Sequence, residues 1–435
     1  MNKRIIKPIK SLQGEITPPA DKSISHRAVM FGAIAKGTTH IHNCLMSADV
    51  LSTINVFRSL GVNIEADENA GEVTVHGVGL KGLKAPSDIL NTGNSGTTTR
   101  LISGILSGQP FESILSGDDS LNSRPMKRII DPLAKLGADI KGINNPETAP
   151  LKISPAHLTG TDISINIASA QVKSAILLAG LYAKGETSVT EPSKSRDHTE
   201  RMLKAFGADI SVSQLTTSVK KCDELYAMDI TVPSDISSAA YFIAAALITP
   251  GSEILIKNVC VNPTRAGILN VCENMGADIT RLNERIVSGE PVCDLNVKYS
   301  ELNSTVIEGD IIPALIDEIP VIAVLATAAE GNTYIRDAKE LKAKESDRIA
   351  TTTAFLNAMG GKVTPTDDGM VIQGLKSARL LHGAMVESKK DHRIAMSETV
   401  AALNATSETT INDADCVDIS YPRFYEDMKS IIVLN

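Results

Sequence analysis

A short phrase recurs along this chain: a large apolar residue, Gly, a small or apolar residue, a polar one and a β-branched one. It reads L-G-V-N-I at Leu60, L-G-A-D-I at Leu136, F-G-A-D-I at Phe206, M-G-A-D-I at Met275 and M-G-G-K-V at Met359. Each copy closes an amphipathic stretch and opens an alternating one, the pattern of a helix stopped by a C′ glycine and followed by a strand. A second phrase, a turn and then a strand rich in Thr, Ser, Val and Ile, begins upstream of these copies at Gly37, Gly108, Gly185, Gly251 and Gly331, and again at Thr406. Before each of these strands lies an Ala-rich helix with a polar opening: D-K-S-I-S-H-R (Asp21), G-N-S-G-T-T-T-R (Gly93), A-S-A-Q-V-K-S (Ala168), P-S-D-I-S-S-A (Pro233), I-D-E-I-P (Ile316) and K-D-H-R-I-A (Lys390). One unit therefore reads helix, strand, helix, strand and further strand, used six times at a spacing of roughly 65 to 80 residues. The Ala-rich helices are apolar almost all round, so they belong inside their domains.

Six units divide into two domains of three, and 435 residues are too many for one ordinary core. The expected boundaries are the Pro-bearing segments Ile16–Asp21 and Thr231–Asp235. They give one domain over 21–235 and a discontinuous one over 1–20 plus 236–435, with an active-site cleft between them. An opening strand near Lys7–Ile16 would then pair with the C-terminal domain.

Composition narrows the partners. With no Trp, seven Phe and seven Tyr, the core is aliphatic and there are few rings on which to stack bases. The net charge of −8 disfavours nucleic acid or an anionic membrane as a generic partner. Cys44, Cys222, Cys260, Cys272, Cys293 and Cys416 form no C-x-x-C pair, so they read as reduced, scattered thiols rather than disulfides or a zinc site. His40-x-His42 lacks a third ligand nearby and reads as a surface pair. The start, M-N-K-R-I-I-K, has no apolar signal region, and no uncharged run approaches the ~18 residues of a membrane span. A cytoplasmic protein is expected.

If the buried helices of a domain run parallel, their N-termini converge on one face, each offering unpaired N–H groups and about half a positive charge. The basic residues fall at these places. Lys22, Arg27, Arg100 and Arg393 stand in the openings, and Arg124, Arg196, Lys344 and Arg348 at the second helix of their units. A single Arg near a helix start is ordinarily a solvated or capping residue. Recurrence at equivalent places of several repeats points instead to one anion-binding surface.

At P-A-D-K-S-I-S-H-R, G-N-S-G-T-T-T-R, S-R-P-M, S-A-Q-V-K-S-A, K-E-S-D-R and D-H-R-I-A-M the chain resembles the EPSP synthase family, the 3-phosphoshikimate 1-carboxyvinyltransferases, with the phrases in the family's order over nearly the whole length. S-A-Q-V-K-S-A together with S-R-D-H-T-E-R-M-L is similar to the bacterial class II branch. The resemblance implies an α/β fold of two domains, an inverse α/β barrel with three βαβαββ repeats in each. It implies transfer of the enolpyruvyl group of phosphoenolpyruvate to the 5-hydroxyl of shikimate 3-phosphate, by addition and elimination, with no cofactor and no metal. Glyphosate is the implied inhibitor and a monomer the implied state.

The resemblance also implies roles by position. Lys22 touches both substrates; Ser23, Arg27, Ser169, Gln171, Arg196, Asp317 and Lys344 hold shikimate 3-phosphate. Asn94, Gly96, Thr97, Arg124, Gln171, Arg348, His392 and Arg393 hold phosphoenolpyruvate. Lys22, Asp317 and Glu345 are the candidate proton-transfer groups, with their individual roles open and with Glu318 adjacent to Asp317. Some positions depart from class I members: Ile419 stands where they carry a lysine, Glu340 replaces an amide, and Ser169-Ala170-Gln171 replaces a serine pair before the glutamine. Two other readings remain. The sibling UDP-N-acetylglucosamine enolpyruvyl transferase carries a Cys, or sometimes Asp, in the loop before the R-P arginine; here Leu115–Pro125 has no Cys but has Asp118 and Asp119. A non-catalytic anion-binding repeat protein would have no need of acids beside the cations.

Overall fold

The computed structural model describes residues 2–434. The chain forms two compact units, one of Ala20–Val232 with Val287–Gly289, the other of Met1–Pro19, Pro233–Ile286 and Glu290–Asn435. Each is described by itself.

The first unit holds three four-stranded sheets built on one plan. In the middle one, Leu90–Asn91 pairs parallel with Ser113–Ser116, which pairs antiparallel with Leu151–Ser154, itself antiparallel to Asp139–Gly142. The parallel pair encloses the buried helix Gly96–Ser107, a β-α-β crossover, and the outer strands form a hairpin after the helix Lys127–Lys135. The sheet around Glu186–Thr190 repeats this with the helix Ala170–Gly180. The first repeat has no strand of its own before the helix Lys22–Ile34, and Ile230–Thr231 from the end of the unit supplies it, parallel to Lys36–His42.

The second unit solves the same problem from the other end. Ser11–Ile16 pairs parallel with Glu253–Ile256 and so stands before the helix Ile236–Ile248. The last repeat, around the helix His392–Leu403, has no closing hairpin, and Lys3–Ile6 pairs antiparallel with Thr409–Asn412 in its place. The strand expected near Lys7–Ile16 is Ser11–Ile16, and a further strand, Lys3–Ile6, precedes it. Pro8 lies between them, where a residue without an N–H cannot continue a ladder.

The recurring phrase has the geometry its composition requires. Gly61, Gly137, Gly207, Gly276 and Gly360 all lie at φ between 83° and 94°, a conformation that a side chain disfavours, and each ends a helix before a strand. Small residues let the central helices pass through the interior: every residue of Ile236–Ile248, Ile319–Ala328 and His392–Leu403 is buried. In the first unit Gly104 lies so close to the Ala175 carbonyl that a Cβ would sit 2.2 Å from its oxygen. No single described helix is long and apolar enough to cross a membrane.

One core position breaks the apolar pattern. Glu398 is fully buried in the helix His392–Leu403, and neither carboxyl oxygen has a hydrogen-bond partner among the described residues. Burial, with Glu387 and Asp391 adding repulsion, pushes its carboxyl up to about 9. The folded state therefore keeps a proton that the unfolded chain releases near the ordinary glutamate value of about 4.3. The stability tied to that proton is fully present below this value and falls by up to about 1.4 kcal/mol per pH unit until pH passes the folded value. We expect Glu398→Gln to flatten this decline, with thermal unfolding of the two proteins converging near pH 5 and diverging by several degrees at pH 8. Parallel melting curves across pH 5–9 would show that Glu398 does not titrate in this way.

Candidate active site

Of the buried helices, all but Ile319–Ala328 start with a capping side chain. Asp21 accepts from the Ile24 N–H at 2.9 Å, Ser95 from Thr98 at 3.1 Å, Asp235 from Ser237 at 2.8 Å and Asp391 from Arg393 at 3.0 Å. Such caps stabilise by ~1 kcal/mol and leave the remaining first-turn N–H groups directed out of the helix.

In the first unit the helices Gly96–Ser107 and Ala170–Gly180 run side by side in one direction. Gln171 Nε2 donates to Thr97 Oγ1 at 3.0 Å at their starts, and further along Gly104 meets Ala175. Arg100 donates to Gln171 Oε1 at 2.7 Å. Arg124 donates to Asn94 Oδ1 at 2.6 Å, and Asn94 donates to Asp118 at 2.7 Å. A Cβ on Gly96 would lie 2.9 Å from Arg100 Nη1 and 3.6 Å from Arg124 Nη1, so both guanidinium groups border the space that this glycine leaves open. Lys22 pairs with Asp49 at 3.1 Å. Arg27 is buried, donating to the Ser23 carbonyl at 2.9 Å, to Ser174 Oγ at 2.9 Å and to Thr199 Oγ1 at 2.7 Å. Ser169 caps its own helix, accepting from Val172 N–H. Arg196 stands in the segment between Glu186–Thr190 and the helix His198–Ala205.

The second unit gathers the rest around Arg348, whose side chain is 1 % exposed. Its guanidinium donates to Asp317 Oδ1 at 3.2 Å, to Glu345 Oε2 at 2.6 Å and to Asp391 Oδ2 at 2.8 Å. Lys344 lies 3.4 Å and Arg393 3.8 Å from the Asp317 carboxylate. His392 is buried at the start of its helix. Burial opposes ionisation of Glu345, yet the charges of Arg348, His392 and Lys344 outweigh it and hold the carboxyl far below the usual range. Asp391 is lowered in the same way, burial being overcome by the charge and hydrogen bond of Arg348. For Arg348 itself burial is outweighed by the three carboxylates, which raise it further.

The neighbouring acids, Asp317 and Glu318, are separated by this geometry. The Glu318 side chain is fully buried, accepting from Arg265 at 3.2 Å, from Arg393 at 3.4 Å and from Ser237. Arg265 also holds the cap Asp235 at 3.0 Å. Asp317 keeps a partly open face toward Lys344, Arg348 and Arg393. Asp118, in the loop where the sibling carries its reactive residue, is a cap: one oxygen accepts from Leu121 N–H at 2.8 Å and the other from Asn94.

Sequence reasoning named the cations, with Glu318 only as a neighbour of Asp317, and missed other members of their networks: Asp49, Asp391, Arg265, Ser174 and Thr199. Only Asp391 carried a signal, since Asp21, Asp235 and Asp391 all precede Ala-rich helices as N-cap types. In the second unit Lys344, Arg348, Arg393 and Arg265 face Asp317, Glu318, Glu345, Asp391 and Asp235, so that cluster has no surplus positive charge. The His40-x-His42 pair lies on an exposed strand face, with His42 2.6 Å from Glu72. No cluster of metal-ligating side chains occurs among the described residues.

The family model for EPSP synthase (3-phosphoshikimate 1-carboxyvinyltransferase) matches residues 6–428. The chain belongs to the EPSP synthase family. Two proteins with the name 3-phosphoshikimate 1-carboxyvinyltransferase are among its relatives. That of Desulforamulus reducens is 51 % identical over 429 residues, 99 % of each chain, and that of Brevibacillus brevis 54 % identical over 417 residues, 96 % of this chain and 97 % of the other. The EPSP synthase of Acinetobacter baumannii superposes with a TM-score of 0.90 at 46 % identity, covering 99 % of this chain and 98 % of that one. The α/β EPSP synthase fold that the resemblance implies is therefore the fold of this chain, and the sibling transferase is not favoured.

Proposed function

We propose that this enzyme joins phosphoenolpyruvate to shikimate 3-phosphate, giving 5-enolpyruvylshikimate 3-phosphate and phosphate. The observation that carries this reading is the gathering of cations and acids in and beside the six phrases that resemble the family, within a chain that belongs to it. The two phosphates, at about −1.5 to −2 each, and two carboxylates bring a total of roughly −5 to −6. In the first unit the candidate cations for them are Lys22, Arg27, Arg100, Arg124 and Arg196. Arg124, with Asn94, Gly96 and Thr97, takes the phosphate of phosphoenolpyruvate; Arg27, Ser23, Ser169, Gln171 and Arg196 take shikimate 3-phosphate. Arginine suits both, since its planar fork grips two oxygens at once.

In the addition step Asp317 accepts the proton of the 5-hydroxyl as its oxygen bonds to C2 of phosphoenolpyruvate, and C3 takes a proton from Glu345 to become a methyl group. A bound anionic phosphate beside Glu345 raises its affinity for the proton it donates. In the elimination step the C2–O bond to phosphate breaks, a methyl proton returns to the Glu345 carboxylate, and the double bond re-forms. Lys22 supplies the ammonium charge next to the departing phosphate. Lys344, Arg348, His392 and Arg393 are the candidate contacts with phosphoenolpyruvate and with Asp317 in the second unit. Glyphosate, itself a phosphonate with a carboxylate, competes for the same contacts; inhibition that raises the apparent KM for phosphoenolpyruvate is the expected result, and inhibition independent of it would place glyphosate elsewhere.

The reaction run in D2O tests the addition–elimination route. Because C3 passes through a methyl group, the vinyl methylene of the product should carry deuterium by NMR. A product free of deuterium at C3 would exclude the tetrahedral intermediate.

A further inference from the structure

The geometry points to Lys173 as a positioning residue that holds the segment Pro192–Asp197, and with it Arg196, in place for the phosphate of shikimate 3-phosphate. This rests on the assignment of Arg196 to that substrate above. Lys173 lies one turn into the helix Ala170–Gly180, just beyond Gln171, but its side chain points away from solvent and is 2 % exposed. Its ammonium group is 2.8 Å from Glu191 Oε2 and 2.7 Å from Glu200 Oε1, whose side chains are 3 % and 7 % exposed. It also lies 3.5 Å from the Ser195 carbonyl.

These three contacts bracket one segment. Glu191 follows the strand Glu186–Thr190, Glu200 lies in the first turn of the helix His198–Ala205, and Ser195 immediately precedes Arg196. Between Glu191 and the helix the chain has no regular structure, and Lys173 holds it at its two ends and at the Ser195 carbonyl. A second link runs parallel to the first. Ser174 Oγ and Thr199 Oγ1 are 2.7 Å apart and both accept from Arg27. The helix that presents Gln171 therefore fixes Arg27 through Ser174 and the Arg196 segment through Lys173.

A buried ammonium between two carboxylates is a poor choice for stability alone, because apolar residues of similar volume commonly serve as well. Its use here is directional: the charge contacts accept only one placement of the chain. Lys173 touches no candidate substrate contact directly, so its effect on binding must pass through the segment it holds.

Lys173→Met removes the ammonium and keeps much of the volume; Glu191→Gln weakens one contact while keeping its shape, and serves if the first variant does not fold. Loss of a charge-assisted contact corresponds to about a 10- to 100-fold change in affinity. We expect either variant to raise the KM for shikimate 3-phosphate toward that range while the KM for phosphoenolpyruvate changes by less than about twofold, a split that general loss of structure would not produce. In an Arg196→Ala background, which alone should raise the KM for shikimate 3-phosphate, the Lys173 or Glu191 change should add little. Additive effects, or an equal rise in both KM values, would overturn the positioning role and leave the function reading intact. An Arg196→Ala variant with an unchanged KM for shikimate 3-phosphate would overturn the assignment of Arg196 itself, and this inference with it.

Discussion

Arg348→Met is expected to cost about 3–5 kcal/mol of stability, because it leaves Asp317, Glu345 and Asp391 without the cation that all three share. Denaturant unfolding monitored at pH 7.5 measures this. The same change should abolish most activity even in protein that stays folded, since Asp317 and Glu345 lose the partner that fixes their orientation. Lowering the pH offers a check on cause: protonation of the released carboxylates should restore part of the variant's stability, narrowing its gap to the parent protein as pH falls from 7 toward 5. A variant with nearly parental stability would mean that the carboxylates find other partners, and the hub role would be wrong.

Asp317→Asn should reduce kcat by about 10²- to 10⁴-fold, the usual contribution of a positioned base, while substrate KM values change far less. The amide keeps the shape and removes the basic oxygen pair. Glu318→Gln is the matched comparison. Its carboxylate lies inside the Arg265, Arg393 and Ser237 network, so its replacement should lower stability first and kcat only modestly. If Glu318→Gln removes turnover while Asp317→Asn retains it within tenfold, the base is Glu318.

These two acids illustrate what the sequence could and could not disclose. I-D-E-I-P placed both at the start of a buried helix, one residue apart, and periodicity could not choose between them because a helix start has no regular inward face. The choice came from Arg265, which lies far away in sequence and meets Glu318 only through the fold. Local signals were reliable where the physics is local. The glycines of the recurring phrase foretold positive φ, and Asp21, Asp235 and Asp391 foretold caps.

Long-range pairings left little trace. Nothing in T-V-P-S-D marks Ile230–Thr231 as the strand that completes the first repeat, since two residues carry no alternation to read. Lys3–Ile6 was not expected as a strand, and the expected strand near Lys7–Ile16 begins only at Ser11, after Pro8, which cannot donate to a ladder. Glu398 and Lys173 mislead in the opposite sense. Each is a charged type on a helix, ordinarily a sign of a solvated face, and each is buried: one with a retained proton, the other between two glutamates. The cations of the site were legible because they recur at equivalent places; of the acids that restrain them, only the caps Asp235 and Asp391 recur.

The central claim, that these residues transfer an enolpyruvyl group to shikimate 3-phosphate, is tested most directly by phosphate release from phosphoenolpyruvate with no metal added. Shikimate 3-phosphate and UDP-N-acetylglucosamine would be compared as acceptors. Stoichiometric release with shikimate 3-phosphate, and none with the sugar nucleotide, is the predicted result. Release with the sugar nucleotide alone, or with neither acceptor, would contradict it.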